Sequence, residues 1–330
     1  MKLRYLICGI SLLLSLHCAY ATTSIHDEIA ILQERANQGN AESQFDLGLI
    51  YYNGDVVKQD YSQALLWIKK SAEQEFSKAQ FLLGLIYGEG KSVPKNNNQA
   101  IFWYTKAANQ GFSSAQINLG NLYANGGSTP KDEQQAVYWY SKAAEQNDGM
   151  GLFNLANMYY YGTGVDKDYK QAFILYTKSA AQGFVDAQSA LGNMYELGYG
   201  VPLNYKEALN WYRKAAEQGF RDAQFGLAYV YYLEDTPYQN YEQALIWFTK
   251  AAEADDIEAQ YYLGKIYQNG HGTHKDYRKS WAWYSVAITG GYVGAMTDLK
   301  SVEAKMSPDD LALARVLGMF YIDTYQKNKN

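Results

Sequence analysis

The sequence predicts an all-α protein, a right-handed superhelical solenoid of about seven 36-residue helix–turn–helix units with capping helices at both ends. Three observations predict this fold. Small residues recur every 36 residues, apolar residues within each unit follow helical spacing, and glycine or a substitute follows each predicted helix. A period in the thirties that holds two helical segments is typical of helical repeat proteins, in which each unit packs against its neighbours in sequence.

The first 21 residues are expected to be a cleaved signal peptide. Lys2 and Arg4 precede an apolar run at 6–16 that is short for a membrane span, and residues 19–21 have the small-x-small pattern of a cleavage site. Cleavage near Ala21 predicts an exported, periplasmic or secreted protein without a transmembrane span in the mature chain. The mature chain is expected to be monomeric. A retained N-terminal anchor is the alternative.

Residues 22–40 are expected to form a capping half-repeat, and residues 41–300 the repeat solenoid. In unit two, Gln80, Gly84 and Tyr87 fall on one face of a helix. Glycine inside a helix costs roughly 1 kcal/mol relative to alanine, so its recurrence predicts close contact with the partner helix. The small anchor residues of the first helices are Gly48, Gly84, Gly120, Ala156, Gly192, Ala228 and Gly264.

The second helix of each unit carries a small residue and, three positions later, a large one. Alanine takes the small position in all units except the last, where Ser280 replaces it. We expect the large residue to fill the space that the small residues leave. These large residues are Trp67, Trp103, Trp139, Leu175, Trp211, Trp247 and Trp283.

Glycine marks the helix ends because it adopts the left-handed conformation without strain. Glu75, Asn147 and Asp255 stand at the equivalent positions after three of the second helices. Asn and Asp tolerate this conformation, whereas Glu75 predicts a local irregularity. Glu234 replaces glycine after one first helix, close to Pro237, so that loop is expected to turn differently.

The recurring phrase A-x-x-W-Y-x-K-A-A-E-Q-G-F-x-x-A-Q-x-x-L-G-x-x-Y resembles the Sel1-like repeat, a relative of the tetratricopeptide repeat. The resemblance covers about residues 28–300. Residues 306–311, followed by 313–325, resemble the capping helix that closes such arrays, so 301–330 is expected to hold this helix and a polar tail. The resemblance to secreted members, including enhanced-entry proteins, implies a role in host-cell interaction or in regulation of the cell envelope.

Catalysis is not expected, although some relatives are described as binding or weakly hydrolysing β-lactams. Serine β-lactamases use Ser-x-x-Lys on a helix, and two matches begin at Ser92 and Ser128. Both lie in loops with proline directly before the lysine, and the chain has no K-[ST]-G or S-D-N partner motif. A hydrolase that acts on β-lactams or murein stays an alternative.

No cofactor or metal site is predicted either. His271 and His274 are the only closely spaced histidines, and they lack the third and fourth ligands of a zinc site. Both cysteines, Cys8 and Cys18, lie in the expected signal peptide, which leaves no thiol in the remaining chain. The net charge of −5 and the absence of a basic block argue against nucleic acid as a partner.

The sequence predicts a binding surface instead. If the tetratricopeptide arrangement carries over, first helices line a concave face through positions three before and one, four and five after each anchor. Tyrosine, with 32 copies in the chain, suits recognition because its ring is large and its tip polar. The predicted partner-binding residues are Phe45, Tyr52, Phe81, Asn121, Phe153, Asn157, Tyr160, Tyr161, Phe225, Tyr229, Tyr232, Tyr261 and Lys265.

Two interpretations of these rings stay open, a recognition surface and packing between neighbouring units. The expected function is a non-catalytic scaffold that binds a protein or peptide, such as an envelope enzyme or a host protein. A murein or carbohydrate binder that uses the aromatic rings is a further alternative.

Overall fold

The computed structural model describes residues 21–90, 93–126 and 130–325, with side chains from residue 27 onward. The expected signal peptide, apart from Ala21, lies outside the described residues, as do Ser92, Ser128 and the tail 326–330. The described part contains seventeen α-helices and one short 3₁₀ helix, and it contains no strand. The predicted all-α class is therefore confirmed.

The helices form two compact units, one that ends at Ala143 and one that begins at Ala144. Within each unit, helices that are adjacent in sequence pack side by side, as in a solenoid. The first unit holds α1 (Ala21–Asn37), α2 (Ala41–Asn53), α3 (Tyr61–Glu73), α4 (Ser77–Glu89), α5 (Asn97–Asn109), α6 (Ser113–Asn125) and α7 (Glu133–Glu145), whose last turn reaches the boundary. The second unit holds α8 (Gly149–Tyr161), α9 (Tyr169–Ala181), α10 (Val185–Leu197), α11 (Tyr205–Ala216), α12 (Arg221–Tyr232), α13 (Tyr241–Glu253), α14 (Ile257–Asn269), α15 (Tyr277–Thr289), α16 (Met296–Glu303) and α17 (Pro308–Tyr325).

The small anchor residues lie against a side chain of the second helix of the same unit. A Cβ atom added to Gly84 would lie 2.5 Å from the ring of Tyr104, and one added to Gly192 would lie 2.5 Å from the ring of Tyr212. Real Cβ atoms do not approach this closely, so the close helix contact predicted from the glycines is confirmed. The same contact joins Gly48 to Ile68, Gly120 to Tyr140 and Gly264 to Tyr284.

The tryptophans have a different position from the one expected. The side chain that fills the space beside each anchor stands four residues after the small residue of the second helix, not three. Trp103 instead packs into the core between the preceding repeat and α4, with Ala64 and Leu83. The prediction that tryptophan fills this space was wrong, because the helical twist turns neighbouring positions 100° apart and thus toward different partners.

A glutamine near the start of the first helices links neighbouring repeats. The Nε2 atom of Gln80 donates to the carbonyl oxygen of Ala72, at the end of the preceding helix, over 3.1 Å. Its Oε1 atom accepts from Nε2 of Gln110 over 2.8 Å. Gln44, Gln116, Gln188 and Gln224 donate to equivalent carbonyl oxygens. These carbonyl oxygens also accept a backbone N–H group, so the glutamine adds a second hydrogen bond at the junction between two repeats.

We expect Gln80→Leu to lower the free energy of unfolding by about 0.5–1.5 kcal/mol, because the hydrogen bonds to the Ala72 carbonyl oxygen and from the Gln110 amide are lost. Gln260 is the matched control, since both of its side-chain amide atoms are buried without a hydrogen-bond partner. Gln260→Leu should leave stability unchanged or raise it. Urea unfolding of both variants checks the prediction, which fails if the two substitutions have the same effect.

Most helix ends follow the predicted pattern. Gly54, Gly90 and the other predicted terminal glycines have positive φ angles. Asn147 and Asp255 adopt the same conformation, with φ of 59° and 63°. Glu75 adopts it too, at 65°, so the array continues through this position without the expected irregularity. After α12, Leu233 has φ of −57° and the left-handed residue is Asp235, which confirms that this loop turns differently.

The last repeat is covered by α17, which packs along α15. Gly318 lets the helix approach Trp281, whose ring would lie 2.6 Å from an added Cβ atom. Trp283 contacts Tyr321 and Tyr325 with ring centroids 4.9 and 5.1 Å apart. These contacts remove the apolar side of α15 from water.

Candidate functional site

A groove of about 570 Å³ lies in the second unit, among the first helices of three consecutive repeats. Its walls come from α8 and α12, and α10 runs between them. Tyr176 of α9 and Tyr212 of α11 also line it. Six of the predicted binding residues meet here: Phe153, Asn157, Tyr160, Tyr161, Phe225 and Tyr229.

The walls of the groove are aromatic. On the α8 side, Tyr160 and Tyr161 meet edge to face with centroids 4.9 Å apart, and 66% of the Tyr161 side chain is exposed. On the α12 side, Phe225 and Tyr229 are stacked with centroids 6.0 Å apart. Rings that are held by neighbouring rings present apolar area at low entropic cost, which suits binding of another chain.

Tyr212 lies between two glycines. A Cβ atom added to Gly192 of α10 or to Gly226 of α12 would come within 2.6 Å of its ring. Its hydroxyl donates to Oε2 of Glu196 over 2.6 Å. The glycines and this hydrogen bond fix the ring, and the ring in turn orients the Glu196 carboxylate.

Hydroxyl groups also orient the amides of the groove. Tyr176 donates to Oδ1 of Asn157 over 2.5 Å, and Tyr160 donates to Oδ1 of Asn193 over 3.1 Å. Burial raises the pKa of Tyr160 to about 12, with smaller contributions from neighbouring tyrosines. The hydroxyl therefore stays protonated and acts as a donor at neutral pH. With its oxygen engaged, the Asn157 amide offers its N–H groups to a bound chain, whereas the Asn193 amide also hydrogen-bonds the Tyr212 hydroxyl.

The ionisable groups of the groove other than tyrosine are all acidic. Asp186, Glu196 and Asp222 line it, and no lysine, arginine or histidine is among the described lining residues. Burial raises the pKa of Glu196, while the hydrogen bond from Tyr212 acts in the opposite direction. Asp222 already contacts Arg221, at 3.1 Å. The groove thus combines aromatic walls with negative charge.

Three predicted binding residues of the first unit lie in its core. Phe45, Tyr52 and Phe81 are only 4%, 8% and 6% exposed. Phe45 packs on Phe76 and Phe81 on Phe112, with ring centroids 5.4 and 5.1 Å apart. The packing interpretation applies to these rings, because their surfaces already contact neighbouring helices. Their assignment to a binding surface is corrected accordingly.

The other predicted residues lie outside the groove. Asn121 accepts a hydrogen bond from Tyr140 over 2.7 Å in the first unit. Tyr232 belongs to a second aromatic cluster, in which it contacts Tyr262 and His271. Tyr261 donates to Asp298 and stacks on Tyr292, and Lys265 lies over the Tyr261 ring at 5.7 Å. These groups already have partners within the chain.

The predicted binding residues do not include the polar part of the groove. Ser189, Asn193 and Glu196 occupy the same register relative to Gly192 as the aromatic residues predicted in other repeats. The register alone therefore indicates them, whereas a preference for aromatic residues leaves them out. Asp186 and Asp222 lie six residues before their anchors, outside the register, and had no such signal.

His271, one of the two closely spaced histidines, lies in an aromatic contact. The ring of His271 stacks on Tyr241 with centroids 4.1 Å apart, and its buried Nδ1 atom has no hydrogen-bond partner. Burial lowers the pKa of His271. Among the described residues, no three His, Cys, Asp or Glu side chains are grouped so that they could hold a metal ion.

A second hollow, of about 420 Å³, lies at the ends of helices in the last two repeats. Tyr292 is its one aromatic residue, and Arg221 and Asp256 line its polar side. The groove along α10 is larger and gathers more of the predicted residues. In the described part of the chain, no helix has the length and apolar character needed to cross a membrane.

Comparisons with known proteins agree with the repeat architecture. A family model described as Sel1 repeat matches seven consecutive segments, 41–76, 77–112, 113–148, 149–184, 185–220, 221–256 and 257–292. A comparison with curated proteins gives no match.

Solved structures of two bacterial proteins are similar over most of this chain. A Sel1 repeat protein from Oxalobacter formigenes is 34% identical, with a TM-score of 0.69 over 87% of this chain and 83% of its own. A protective antigen from uropathogenic Escherichia coli with an SLR fold is 29% identical, with a TM-score of 0.61 over 92% and 82%. Seven adjoining family matches span 41–292, so the chain belongs to the Sel1 repeat family, whose members generally serve as non-catalytic scaffolds for protein interactions.

Proposed function

We propose that this protein is a non-catalytic scaffold that binds a segment of a partner protein in the groove along α10. The single observation that carries the proposal is the convergence of open aromatic rings and oriented amides from three successive repeats. The volume falls within the range of about 300–1,000 Å³ that is usual for ligand pockets. A groove in which successive repeats supply both aromatic rings and hydrogen-bonding groups suits a segment of polypeptide chain.

We also propose that the protein is exported. The charged start, the short apolar run and the small-x-small pattern of residues 1–21 support it. In that location the partner would be an envelope component, such as a murein-processing enzyme, or a host protein. A hydrolase acting on β-lactams or murein has no comparable support, since the groove offers no serine–lysine pair among its described lining residues.

We expect the double variant Tyr161→Ala/Tyr229→Ala to weaken partner binding by about tenfold or more, because exposed aromatic anchors dominate such interfaces. Tyr138→Ala is the matched control, since it removes a tyrosine of similar exposure from a helix outside the groove. Affinity capture from cell envelope and culture medium, followed by titration of the captured partner, measures the effect.

Helical content by circular dichroism should be the same in both variants. If the double variant binds the captured partner as tightly as the unchanged protein does, the groove is not the binding site. Capture of purified murein in place of a protein would instead support the carbohydrate-binding alternative.

A further inference from the structure

The charge of the groove indicates what kind of partner segment it takes. Glu196 is oriented by Tyr212 and faces the aromatic walls, and Asp186 lies at the other end of α10. Glu196 is partly buried, and a carboxylate that is partly withdrawn from water is stabilised by a cation that replaces its lost hydration, whereas Asp186 is exposed and attracts a cation by charge alone. No basic side chain of the described lining residues supplies that cation from within the groove.

The aromatic rings favour the same kind of ligand. Elsewhere in the second unit, lysines of the chain itself lie over aromatic faces, as Lys214 does over Trp211 at 4.1 Å and Lys250 over Trp247 at 4.0 Å. Among the described residues, no such lysine lies over Tyr160, Tyr161 or Tyr229. Aromatic faces beside carboxylates attract lysine and arginine side chains through the ring quadrupole as well as through charge.

The distance between the two carboxylates along α10 indicates how far apart two cations of a bound segment would lie. Asp186 and Glu196 are ten residues apart on one helix, which corresponds to about 15 Å along the α10 axis at 1.5 Å per residue. An extended chain advances about 3.3 Å per residue, so about four to five residues span this distance. Of these two spacings, a spacing of four places both residues on the same side of the extended chain.

We infer that the groove binds an extended segment with two lysine or arginine side chains four residues apart and apolar residues between them. One cation would lie at Glu196 and the other at Asp186, and the intervening apolar side chain would contact the rings. This inference rests on the proposed function, since it specifies the segment that the groove accepts.

Selection from a random nine-residue peptide library against the full chain tests the inference. We expect the bound peptides to be enriched in lysine and arginine at positions four apart. Replacement of both cations by glutamine in a selected peptide should weaken its binding at least about tenfold, because hydrogen bonds between charged groups are lost. Fluorescence anisotropy with the labelled peptide measures the affinity.

Variants of the protein complete the test. Glu196→Gln keeps an oxygen that can accept the Tyr212 hydroxyl, and Asp186→Asn keeps the shape of its side chain. Each should weaken binding of the basic peptide about tenfold, and neither should affect its glutamine version. Glu253→Gln removes an exposed carboxylate at the end of α13, outside the groove, and is the matched control.

The outcomes separate the two proposals. Selected peptides that are neutral or acidic, and that lose affinity in Tyr161→Ala/Tyr229→Ala but not in Glu196→Gln, would overturn the charge inference alone. Failure to select any peptide, or selection of peptides indifferent to the tyrosine pair, would overturn the proposed function as well.

Discussion

Gly84→Ala is expected to lower the free energy of unfolding by about 1–3 kcal/mol, although alanine is the better helix former. The added Cβ atom would lie 2.5 Å from the Tyr104 ring, which is itself buried against neighbouring helices. Either the ring or α4 must move, and the packing of that repeat is lost in part. Urea unfolding measures the change as a lower midpoint.

Gly88 supplies the control for this prediction. It lies one turn further along the same helix, where an added Cβ atom would meet the Ala100 Cβ atom at 3.6 Å, an ordinary contact. Gly88→Ala should therefore keep or raise stability, by up to about 1 kcal/mol, because alanine restricts the unfolded chain. Equal effects of the two substitutions would show that helix propensity, and not the contact with Tyr104, decides the outcome.

Alkaline pH is expected to destabilise the protein steeply. Burial raises the pKa of Tyr140, Tyr160 and Tyr232 to about 12, above the ordinary value of 10.0. Between about pH 10 and pH 12 the unfolded chain releases these protons and the folded protein keeps them. Stability is therefore fully present below pH 10 and falls as the pH rises, by up to about 1.4 kcal/mol per pH unit for each such tyrosine.

Urea unfolding between about pH 8 and pH 11 measures this slope, and tyrosinate absorbance shows when the hydroxyls ionise. Tyr140→Phe should reduce the slope, since it removes one buried hydroxyl, at the cost of the hydrogen bond to Asn121. Tyr138→Phe removes an exposed hydroxyl and is the matched control. A stability that is constant up to pH 11 would contradict the prediction.

The 36-residue period was sufficient to predict the helices. The small anchors recur at this spacing without an insertion or deletion, because each of them lies at a contact between two helices. The period was not sufficient to assign the neighbour of each anchor. Trp103 and Tyr104 are both large, aromatic and adjacent, and only the rotation of the helix decides that Tyr104 meets Gly84. Side-chain direction of this kind depends on how two helices cross, which no single segment of sequence encodes.

The candidate site was predictable in part. The register found the aromatic walls in α8 and α12, and the structure brings six of its residues together. The same register selected Phe45 and Phe81, which are buried because neighbouring rings cover them. Exposure at equivalent positions depends on which side chains pack around them, so it varies along an array whose backbone conformation repeats.

Gly226 shows how a single residue changes the exposed surface of one repeat. The equivalent positions in the other repeats hold Asp46, Leu82, Asn118, Asn154, Ala190 and Tyr262. Tyr262 stacks on Phe248 with centroids 5.0 Å apart, whereas Gly226 leaves the edge of Tyr212 bordering the groove. The residue at this position thus determines whether the space beside the aromatic ring of the second helix is filled or open. Duplication of a repeat followed by one such substitution would place a recognition site at another point of the array. The small anchors, which specify the fold, would be unchanged.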